Sequence, residues 1–193
     1  IGLLGSCQDS AGTKNVLELG VGTGAVVISV AKACPGHAYY GCDLSSAALE
    51  TAIKNAAALS ETPIRFFQGS WFEAINPRES FDLILSNPPY IPTDDIQDLA
   101  SEIKHHEPCL ALDGGPDGLD AIRNILDNAR YFLVSGGRIL IEIGFDQAEG
   151  VAAIANSFTI ILKDETRLKA RLVKLSPKRD LALLKLDGYN TPK

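Results

Sequence analysis

The sequence predicts an α/β fold in which a mostly parallel, seven-stranded sheet carries helices on both faces and an antiparallel pair of strands at one edge. Three observations lead to this prediction. Short apolar runs alternate with helical patterns along most of the 193 residues. Strands joined by helices return to the sheet through right-handed crossovers, so neighbouring strands run parallel. The last two apolar runs, 158–163 and 180–186, have no helix between them, which predicts the antiparallel pair.

Each element is predicted from its local pattern. The other five strands are expected at short apolar runs rich in β-branched and aromatic residues, namely 15–19, 38–42, 64–67, 81–85 and 138–143. Helices are expected where apolar residues recur at helical spacing, namely 24–32, from Ser45 or Ser46 to 59, 118–134 and 146–156. Either serine is a suitable N-cap for the second helix. The Ser-Gly-Gly at 135–137 is expected to end the third helix and precede the fifth strand.

Length and composition indicate one domain across residues 1–193, because a chain of this size with 46% apolar residues can bury one sizeable core. The net charge is −6 and the isoelectric point is near 5.0. Proteins that bind nucleic acid through phosphates are usually basic on at least one face. The most basic segment, Lys163 to Arg179, alternates with apolar residues, so we interpret it as the solvent-facing side of strands. A stable nucleic-acid partner is therefore not expected.

No apolar run is long enough to span a bilayer, and the first ten residues lack the positive region of a signal peptide. The absence of Met suggests a piece of a longer protein. The four cysteines (Cys7, Cys34, Cys42 and Cys109) form no CxxC pair and no metal-ligand spacing with the histidines. Because of this spacing, we expect no metal site. The cysteines fit a reducing compartment better than a disulfide framework, so we expect a cytoplasmic location.

A glycine-rich segment, Glu18 to Gly24, joins the first predicted strand to the first helix. Glycines at 20, 22 and 24 lack Cβ atoms, so the backbone turns tightly there and a ligand can approach closely. In open parallel sheets, ligands bind at this end of the strands. Asp43 ends the next strand, where a carboxylate can accept hydrogen bonds from both hydroxyls of a ribose. This combination predicts a nucleoside cofactor rather than an ordinary tight turn.

The spacing of the glycines indicates which cofactor. A dinucleotide fingerprint has the form G-x-G-x-x-G and places a pyrophosphate at a helix N-terminus. Here the form is G-x-G-x-G after Glu18, whose carboxylate would repel a pyrophosphate but suits an amino group. S-adenosylmethionine has an ammonium, a ribose and no phosphate. The sequence therefore predicts this cofactor, with S-adenosylhomocysteine as product, and resembles the class I methyltransferases, whose fold is Rossmann-like.

A second motif, Asn87-Pro88-Pro89-Tyr90, follows the fourth predicted strand. Prolines end a strand, and this could be their only role. The turn also presents two acceptors, the side-chain carbonyl of Asn87 and the backbone carbonyl of Pro88. Two fixed acceptors grip both hydrogens of a planar NH2 group, while Tyr90 packs against its plane. Such a site favours methyl transfer to an amide or exocyclic amine by positioning, without a strong general base.

Further segments resemble the HemK/PrmC family of protein glutamine methyltransferases. They are Glu107 to Leu119, Leu140 to Gly144, Gln147 and Ser70 to Phe72, and the resemblance runs over about 16–154. Family members methylate the glutamine of the GGQ loop in peptide-chain release factors, and a sister group acts on a ribosomal protein. The resemblance therefore implies an S-adenosylmethionine-dependent N-methyltransferase that acts on a protein glutamine, with a release factor as the partner.

The resemblance also implies roles for individual residues. Gly20 to Gly24 would line the methionine part of the cofactor, Asp43 would hold the ribose, and Trp71 would pack near the adenine unless it is a core residue. Asn87 to Tyr90 would hold the glutamine amide. The predicted cofactor-contacting set is Glu18, Gly20, Val21, Gly22, Thr23, Gly24, Asp43, Leu44, Ser70, Trp71 and Asn87, and the predicted catalytic set is Asn87, Pro88, Pro89 and Tyr90.

The sequence departs from the family at three points. Ser70 stands where the family usually has Asp, which weakens the hydrogen bond expected to the adenine amino group, and Glu18 replaces a more common Asp. The N-terminal helical domain of the family, and a Pro-Arg-x-Glu-Thr-like segment before the glycine loop, are not in this chain. We therefore expect the catalytic portion without the portion that docks the substrate.

Three alternatives to a release-factor methyltransferase stay open. One is a methyltransferase for a ribosomal-protein glutamine, and another is a nucleic-acid methyltransferase that modifies the amino group of adenine or guanine. The latter predicts a basic face or an added recognition domain, and the net charge is instead −6. The third is a cofactor-binding module without catalysis, against which the intact Asn87 to Tyr90 motif argues.

Overall fold

The computed structural model describes the backbone of residues 12–98, 111–157, 159–161, 167–176 and 181–186, and side chains as far as residue 155. The chain divides into two compact units. The first comprises Ile1–Ser86 and Tyr131–Ile139, and the second comprises Asn87–Arg130 and Leu140–Lys193. Asn87 to Tyr90 thus begins the second unit, whereas the glycine-rich segment belongs to the first.

The described residues of the first unit form a sheet that carries two helices. Its elements are β1 (Asn15–Leu19), α1 (Ala25–Ala33), β2 (Ala38–Asp43), α2 (Ser46–Leu59), β3 (Ile64–Gln68), β4 (Phe81–Ser86) and the first part of β5 (Leu133–Glu142). The strand order is β3-β2-β1-β4-β5. β1 runs parallel to β2 and to β4, and β2 runs parallel to β3. The predicted α/β fold with a parallel sheet is confirmed.

The position of β1 identifies the ligand-binding end of this sheet. β2 lies on one side of β1 and β4 on the other, so Leu19 is in register with both Cys42 and Ser86. The chain therefore leaves β1 in one direction and returns on its other side, which makes a topological switch point. Ligands of open α/β sheets bind outside the carboxyl ends of the strands at such a point. The segment after Leu19 is the glycine loop.

The central strands are apolar because both of their faces are covered. Leu17, Leu19 and Ile84 are fully buried, as expected for strands inside a parallel sheet. Helix α1 buries Val27, Ile28 and Ala31, and α2 buries Leu49 and Ala52. Only one face of each helix is therefore buried, and the remaining positions are half-buried or exposed.

Helix α2 begins as the sequence predicts. Ser45 is its N-cap, and the Ser45 hydroxyl accepts a hydrogen bond from the Ala48 amide at 3.2 Å. This contact satisfies one of the amides that the first turn of a helix leaves unpaired. Because Asp43 ends β2 just before this cap, the start of α2 is fixed close to the carboxylate that is the predicted ribose ligand.

The described residues of the second unit include two α-helices, a 3-10 helix and an antiparallel group of strands. Its elements are the 3-10 helix Thr93–Asp98, α3 (Asp120–Ala129), the last part of β5, α4 (Ala148–Ser157), β6 (Thr159–Ile161), β7 (Arg167–Ser176) and β8 (Leu181–Leu186). β7 pairs antiparallel with β6 and with β8. The pairing of β7 with β8 shifts register between Leu172 and Lys174.

Two predictions about the last strands are wrong. The described residues form eight strands rather than seven. The predicted partners, β6 and β8, do not pair with each other, because β7 lies between them in the order β8-β7-β6. β7 arises from the basic segment Lys163 to Arg179, in which charged and apolar residues alternate. The alternation indicated strand residues, but the segment was not counted as a strand of its own.

The boundary between the third helix and the fifth strand also differs from the prediction. α3 ends at Ala129, and β5 begins at Leu133 and runs through the Ser-Gly-Gly segment. Burial alternates along the middle and end of β5, as expected for a strand. The glycines that were expected to separate the two elements are strand residues.

Three further expectations concern cysteines, metals and membranes. Cys34 is disulfide-bonded, which the preference for a reducing compartment over a disulfide framework did not predict, whereas Cys42 is buried and free. His105, His106 and Cys109 lie outside the described residues. Within the described ranges, no group of three or more His, Cys, Asp or Glu side chains could hold a metal ion. None of the described helices is long and apolar enough to cross a membrane.

Candidate functional site

The glycine loop between β1 and α1 is left-handed at three alternate positions. Gly20, Gly22 and Gly24 have φ angles of 68°, 53° and 81°, a region that residues with a Cβ rarely adopt. A Cβ on Gly22 would meet no atom within 4 Å, whereas a Cβ on Gly24 would lie 2.8 Å from the Cδ1 of Ile28. Gly24 is thus required by conformation and by packing, and Gly22 leaves open space at the loop.

Backbone contacts hold this loop to the neighbouring strand and helix. The Val21 amide donates to the carbonyl of Cys42 at 2.9 Å, and the Gly24 amide donates to the carbonyl of Val21 at 2.8 Å. The side-chain amide of Asn55, on α2, donates to the carbonyl of Thr23 at 2.9 Å. Val21 is buried and Thr23 is exposed. The loop is therefore held by β2 and α2, while its exposed residue Thr23 is open to a ligand.

Asp43 is attached directly to the glycine loop. Its Oδ2 atom accepts a hydrogen bond from the Gly22 amide at 2.8 Å, and its Oδ1 atom accepts one from the Ser45 amide at 2.9 Å. A carboxylate offers about four acceptor positions, so two amides orient the group and leave capacity for two hydroxyls. Asp43 is half-buried, and Leu44 beside it is 57% exposed.

Glu18 lies beneath the loop rather than on its surface. It is 4% exposed, and its Oε2 atom accepts a hydrogen bond from the Val27 amide in the first turn of α1 at 2.8 Å. Burial raises the pKa of this carboxyl to about 8; the bond from Val27 lowers the pKa and the charge of Asp43 raises it. Glu18 therefore fastens helix α1 to β1, and a cation placed nearby would favour its charged form.

Trp71 is a loop residue beside the glycine loop, not a core residue. Trp71 is half-buried, and a Cβ on Gly20 would lie 3.7 Å from the Cζ3 atom of its ring. Trp71 is the one non-glycine residue in the described part of the chain with a positive φ, 48°. The thiol of Cys42 donates to the Trp71 carbonyl at 3.0 Å. Ser70, which precedes it, is also half-buried. The structure thus brings Trp71 together with Gly20.

The second motif begins directly after β4. Ser86, the last residue of β4, is buried, and its hydroxyl donates to the Leu19 carbonyl at 3.0 Å. The chain then continues into Asn87, which is exposed, and Pro88, which is buried; Pro89 and Tyr90 are half-buried. The proline rings fix two successive φ angles. The Asn87 side chain is therefore available to a ligand on a turn whose backbone is restricted.

The residues that follow the motif pair with a later segment of the second unit. The Ile91 amide donates to the Leu112 carbonyl at 3.1 Å, and the Gly114 amide donates to the Ile91 carbonyl at 2.9 Å. Asp113 accepts hydrogen bonds from the Gly115 amide and the Thr93 hydroxyl, and these two bonds lower its pKa. The described end of the segment 107–119 thus supports the motif, while 107–110 lie outside the described residues.

Gln147 has a structural role that the sequence did not predict. The sequence indicated this residue only as one of the positions that resemble the methyltransferase family. Gln147 is 8% exposed, and its side-chain Nε2 atom donates to the Tyr90 carbonyl at 2.8 Å and to the Gly118 carbonyl at 3.1 Å. A glutamine at the start of a helix gives no local sign of this, because its partners are 57 and 29 residues away in the chain. Its position inside the segment that resembles the family was the only available signal.

The sequence comparisons agree with these motifs. Residues 16–106 match the family model of a methyltransferase domain. The chain is 44% identical over 157 residues to the release factor glutamine methyltransferase of Agrobacterium fabrum, and the match covers 81% of this chain and 54% of that protein. The chain therefore spans about half the length of the curated relatives it matches.

The structural comparisons concern the fold. The ribosomal protein L11 methylase of Lactobacillus delbrueckii subsp. bulgaricus aligns with a TM-score of 0.61 at 14% identity, over 93% of this chain and 72% of that one. Phosphoethanolamine N-methyltransferase 1 of Haemonchus contortus, solved with phosphoethanolamine and S-adenosylhomocysteine, gives 0.61 at 12% identity, over 94% of this chain and 41% of that one. At these identities the likeness shows a methyltransferase fold and nothing finer.

The resemblance that the motifs indicated is thus confirmed. The methyltransferase model matches the part of the chain that contains the glycine loop, Asp43 and Asn87 to Tyr90. Over 81% of its length, this chain is similar to the release factor glutamine methyltransferases.

Proposed function

We propose that this chain is the catalytic portion of an S-adenosylmethionine-dependent methyltransferase that modifies the side-chain amide nitrogen of a protein glutamine. The glutamine of the GGQ loop in a peptide-chain release factor is the proposed acceptor. The observation that carries this proposal is the 44% identity to a release factor glutamine methyltransferase over 81% of the chain. The geometry of the glycine loop and of the Asn87 to Tyr90 turn supports it.

The residues of the first unit suit S-adenosylmethionine. Asp43, oriented by the amides of Gly22 and Ser45, would accept hydrogen bonds from the ribose hydroxyls. The absence of a Cβ at Gly22 leaves room for the methionine part, and the Trp71 ring beside Gly20 would contact the adenine. Glu18 would attract the ammonium group from beneath the loop. When bound, this cofactor supplies an electrophilic methyl group on a sulfonium.

The residues of the second unit would hold the acceptor. The exposed Asn87 side chain offers its carbonyl oxygen, and the rigid Pro88-Pro89 pair fixes the direction of the backbone carbonyl. Two acceptors that bind both hydrogens of an amide NH2 group orient its nitrogen, and Tyr90 would pack against the amide plane. The nitrogen becomes more acidic as it is alkylated, so its proton passes to water without a strong base. Orientation and electrostatics therefore carry the catalysis.

The proposed partner is a protein, and no stable complex with nucleic acid is proposed. The net charge of −6 supports this, because binding through phosphates depends on basic surface. A release-factor substrate places the proposed reaction in the cytoplasm, where translation terminates. Separation of cell extracts into cytoplasmic and membrane fractions tests the location.

The function is tested by methyl transfer from labelled S-adenosylmethionine to three acceptors. These are a release factor, the same factor with its GGQ glutamine changed to alanine, and duplex DNA. We expect label only in the unmodified factor. Label in both forms of the factor would mean that a residue other than the GGQ glutamine is methylated. Label in DNA would contradict the proposal that the acceptor is a protein. Bound cofactor without label in any acceptor would contradict the catalytic proposal.

A matched pair of variants connects the labelling to the motif. Asn87→Ala removes the proposed side-chain acceptor, and we expect labelling to fall by about 10²–10³-fold, as for the loss of one donor or acceptor in a pre-organised site. Asn128→Ala removes a half-buried asparagine of α3, whose side chain bonds only the Asn124 carbonyl of its own helix among the described contacts, and should leave labelling unchanged.

A further inference from the structure

The side-chain amide of Gln147 joins three segments of the second unit. Its Nε2 atom donates to the carbonyls of Tyr90 and Gly118, and its Oε1 atom accepts from the Gly144 amide at 2.9 Å. The donor side of the amide therefore faces two carbonyl oxygens, and the acceptor side faces an N–H. Because each side matches its partners, only this orientation of the amide satisfies all of them.

The surroundings of Gln147 are too tight for this contact to be incidental. Gln147 is 8% exposed. Gly118 has a φ of +72°, and a Cβ at this position would lie 2.5 Å from the Nε2 atom of Gln147. A Cβ on Gly144 would lie 3.1 Å from the Cδ atom of Gln147. Two glycines thus leave space for the amide, and a buried amide group is unfavourable unless it is fully hydrogen-bonded.

Tyr90 is the last residue of the turn that is the proposed acceptor site. Its carbonyl is held by Gln147, and the residue after it pairs through both its amide and its carbonyl with the segment 112–114. At the start of the turn, β4 ends at Ser86, which is bonded to Leu19. Two rigid prolines lie between Ser86 and Tyr90. The hydrogen bond to the Tyr90 carbonyl therefore fixes the position at which the turn ends.

We propose that Gln147 is a positioning residue for methyl transfer: by holding the Tyr90 carbonyl, it sets the direction in which the turn presents Asn87 and Pro88 to the acceptor amide. This rests on the proposed function of the Asn87 to Tyr90 motif and adds to it a residue that touches neither acceptor nor cofactor. A displaced turn would still bind a peptide but would aim its amide nitrogen wrongly, and a misplacement of about 1 Å costs about 10²-fold in rate.

The test uses substitutions that separate the donor side of the amide from its acceptor side. Gln147→Glu keeps the length of the side chain and the acceptor for the Gly144 amide but replaces the donors by a group that repels two carbonyls. Gln147→Met keeps the length and removes every hydrogen bond. Asn128→Asp makes the same amide-to-acid change at a half-buried position of α3, where the amide bonds the Asn124 carbonyl at 2.8 Å.

The readout is kcat per molecule of bound cofactor, with a GGQ peptide as acceptor, beside the Kd for S-adenosylmethionine. For both Gln147 variants we expect kcat to fall by about 10²-fold and the cofactor Kd to stay within about twofold. This is because the proposed cofactor residues, apart from Asn87, lie in the first unit. Asn128→Asp should match the wild type. A purely structural role would lower the folded fraction, and normalisation to bound cofactor removes that effect.

The outcomes separate this inference from the function on which it rests. If wild type and Gln147→Glu have equal kcat per bound cofactor, Gln147 does not position the turn, and the proposed function stands. If wild type binds cofactor and transfers no methyl group to the peptide, the proposed function is wrong and the positioning role fails with it. If Asn128→Asp loses activity equally, the effect is unspecific and the inference is overturned.

Discussion

Among single residues, Glu18 makes the first unit sensitive to pH. Its carboxyl ionises near pH 4.5 in the unfolded chain, whereas burial holds its pKa at about 8 in the folded chain. Between these values the folded state binds more protons than the unfolded state, so the free energy of unfolding falls as the pH rises. The contribution of Glu18 is fully present below pH 4.5 and is lost as the pH passes through 8.

Glu18→Gln should remove this dependence in the cofactor-free chain. We expect the free energy of unfolding of wild type, relative to the variant, to fall by an amount on the order of 3 kcal/mol between pH 5 and pH 8. Urea unfolding followed by the fluorescence of Trp71, the only tryptophan, measures it. Glu50→Gln, at an exposed position of α2, is the control. An identical pH dependence in wild type and Glu18→Gln would exclude Glu18 as the cause.

Residue by residue, the sequence predicted those parts of the site that depend on residue type and strand position. Asp43 was predicted beside the glycine loop because this residue ends the next strand in the chain. The hydrogen bond that it accepts from the Gly22 amide agrees with that prediction. The bond of Glu18 to the first turn of α1 was not predicted, because it depends on how closely the helix packs. Gln147 was missed as a contact of Tyr90 for the same reason.

At the scale of elements, the junction of the glycine loop with α1 depends on close packing against α2. Gly24 is the N-cap of α1. A Cβ there would lie 2.8 Å from the Ile28 Cδ1 atom and 3.2 Å from the Ala52 Cβ atom of α2. Gly36, in the turn between α1 and β2, also has a positive φ, 94°, but a Cβ there would meet nothing within 4 Å. A comparison of substitutions at these two glycines therefore separates the cost of backbone strain from the cost of overpacking.

Gly24→Ala should destabilise the first unit more than Gly36→Ala does. Both substitutions place a Cβ in a left-handed conformation, at a cost of about 1–2 kcal/mol. Only Gly24→Ala also forces α1 and α2 apart, and overpacking adds about 1–3 kcal/mol. The difference in the free energy of unfolding is measured by urea unfolding of the two variants under one condition. An equal decrease in the free energy of unfolding for both variants would mean that α1 and α2 move apart without an energetic cost.

The sequence predicted element types better than element boundaries. β1 was found at the expected residues, and β2 and β4 begin where expected and end one residue later, because runs of apolar residues covered on both faces have few alternatives. The start of β5 was misplaced because glycines usually interrupt elements. Here Gly137 is a strand residue, at which a Cβ would lie 2.9 Å from the Val134 carbonyl oxygen, 3.0 Å from the Leu133 Cδ2 atom and 3.2 Å from the Phe81 carbonyl oxygen of β4. Crowding by residues of its own strand and by β4, rather than a turn, explains that glycine.

For the whole molecule, the cofactor should act as a stabilising ligand. A ligand that binds only the folded state stabilises it by about 2.7 kcal/mol at a concentration of 100 times its Kd. For a chain of 193 residues, this corresponds to a rise in Tm of roughly 5–10 °C. The effect does not require an acceptor, so it tests cofactor binding independently of the methyl transfer that is proposed for the chain.

Gly22→Ala should lose most of this stabilisation, whereas Gly36→Ala should keep it. Neither position has an atom within 4 Å of a new Cβ, and both have positive φ angles, 53° and 94°, so both variants fold with a similar loss of stability. Only the methyl group at Gly22 enters the space proposed for the cofactor, next to Asp43. Thermal unfolding with and without S-adenosylmethionine, followed by the fluorescence of Trp71, measures the shift. An equal rise in Tm for both variants would place the cofactor elsewhere.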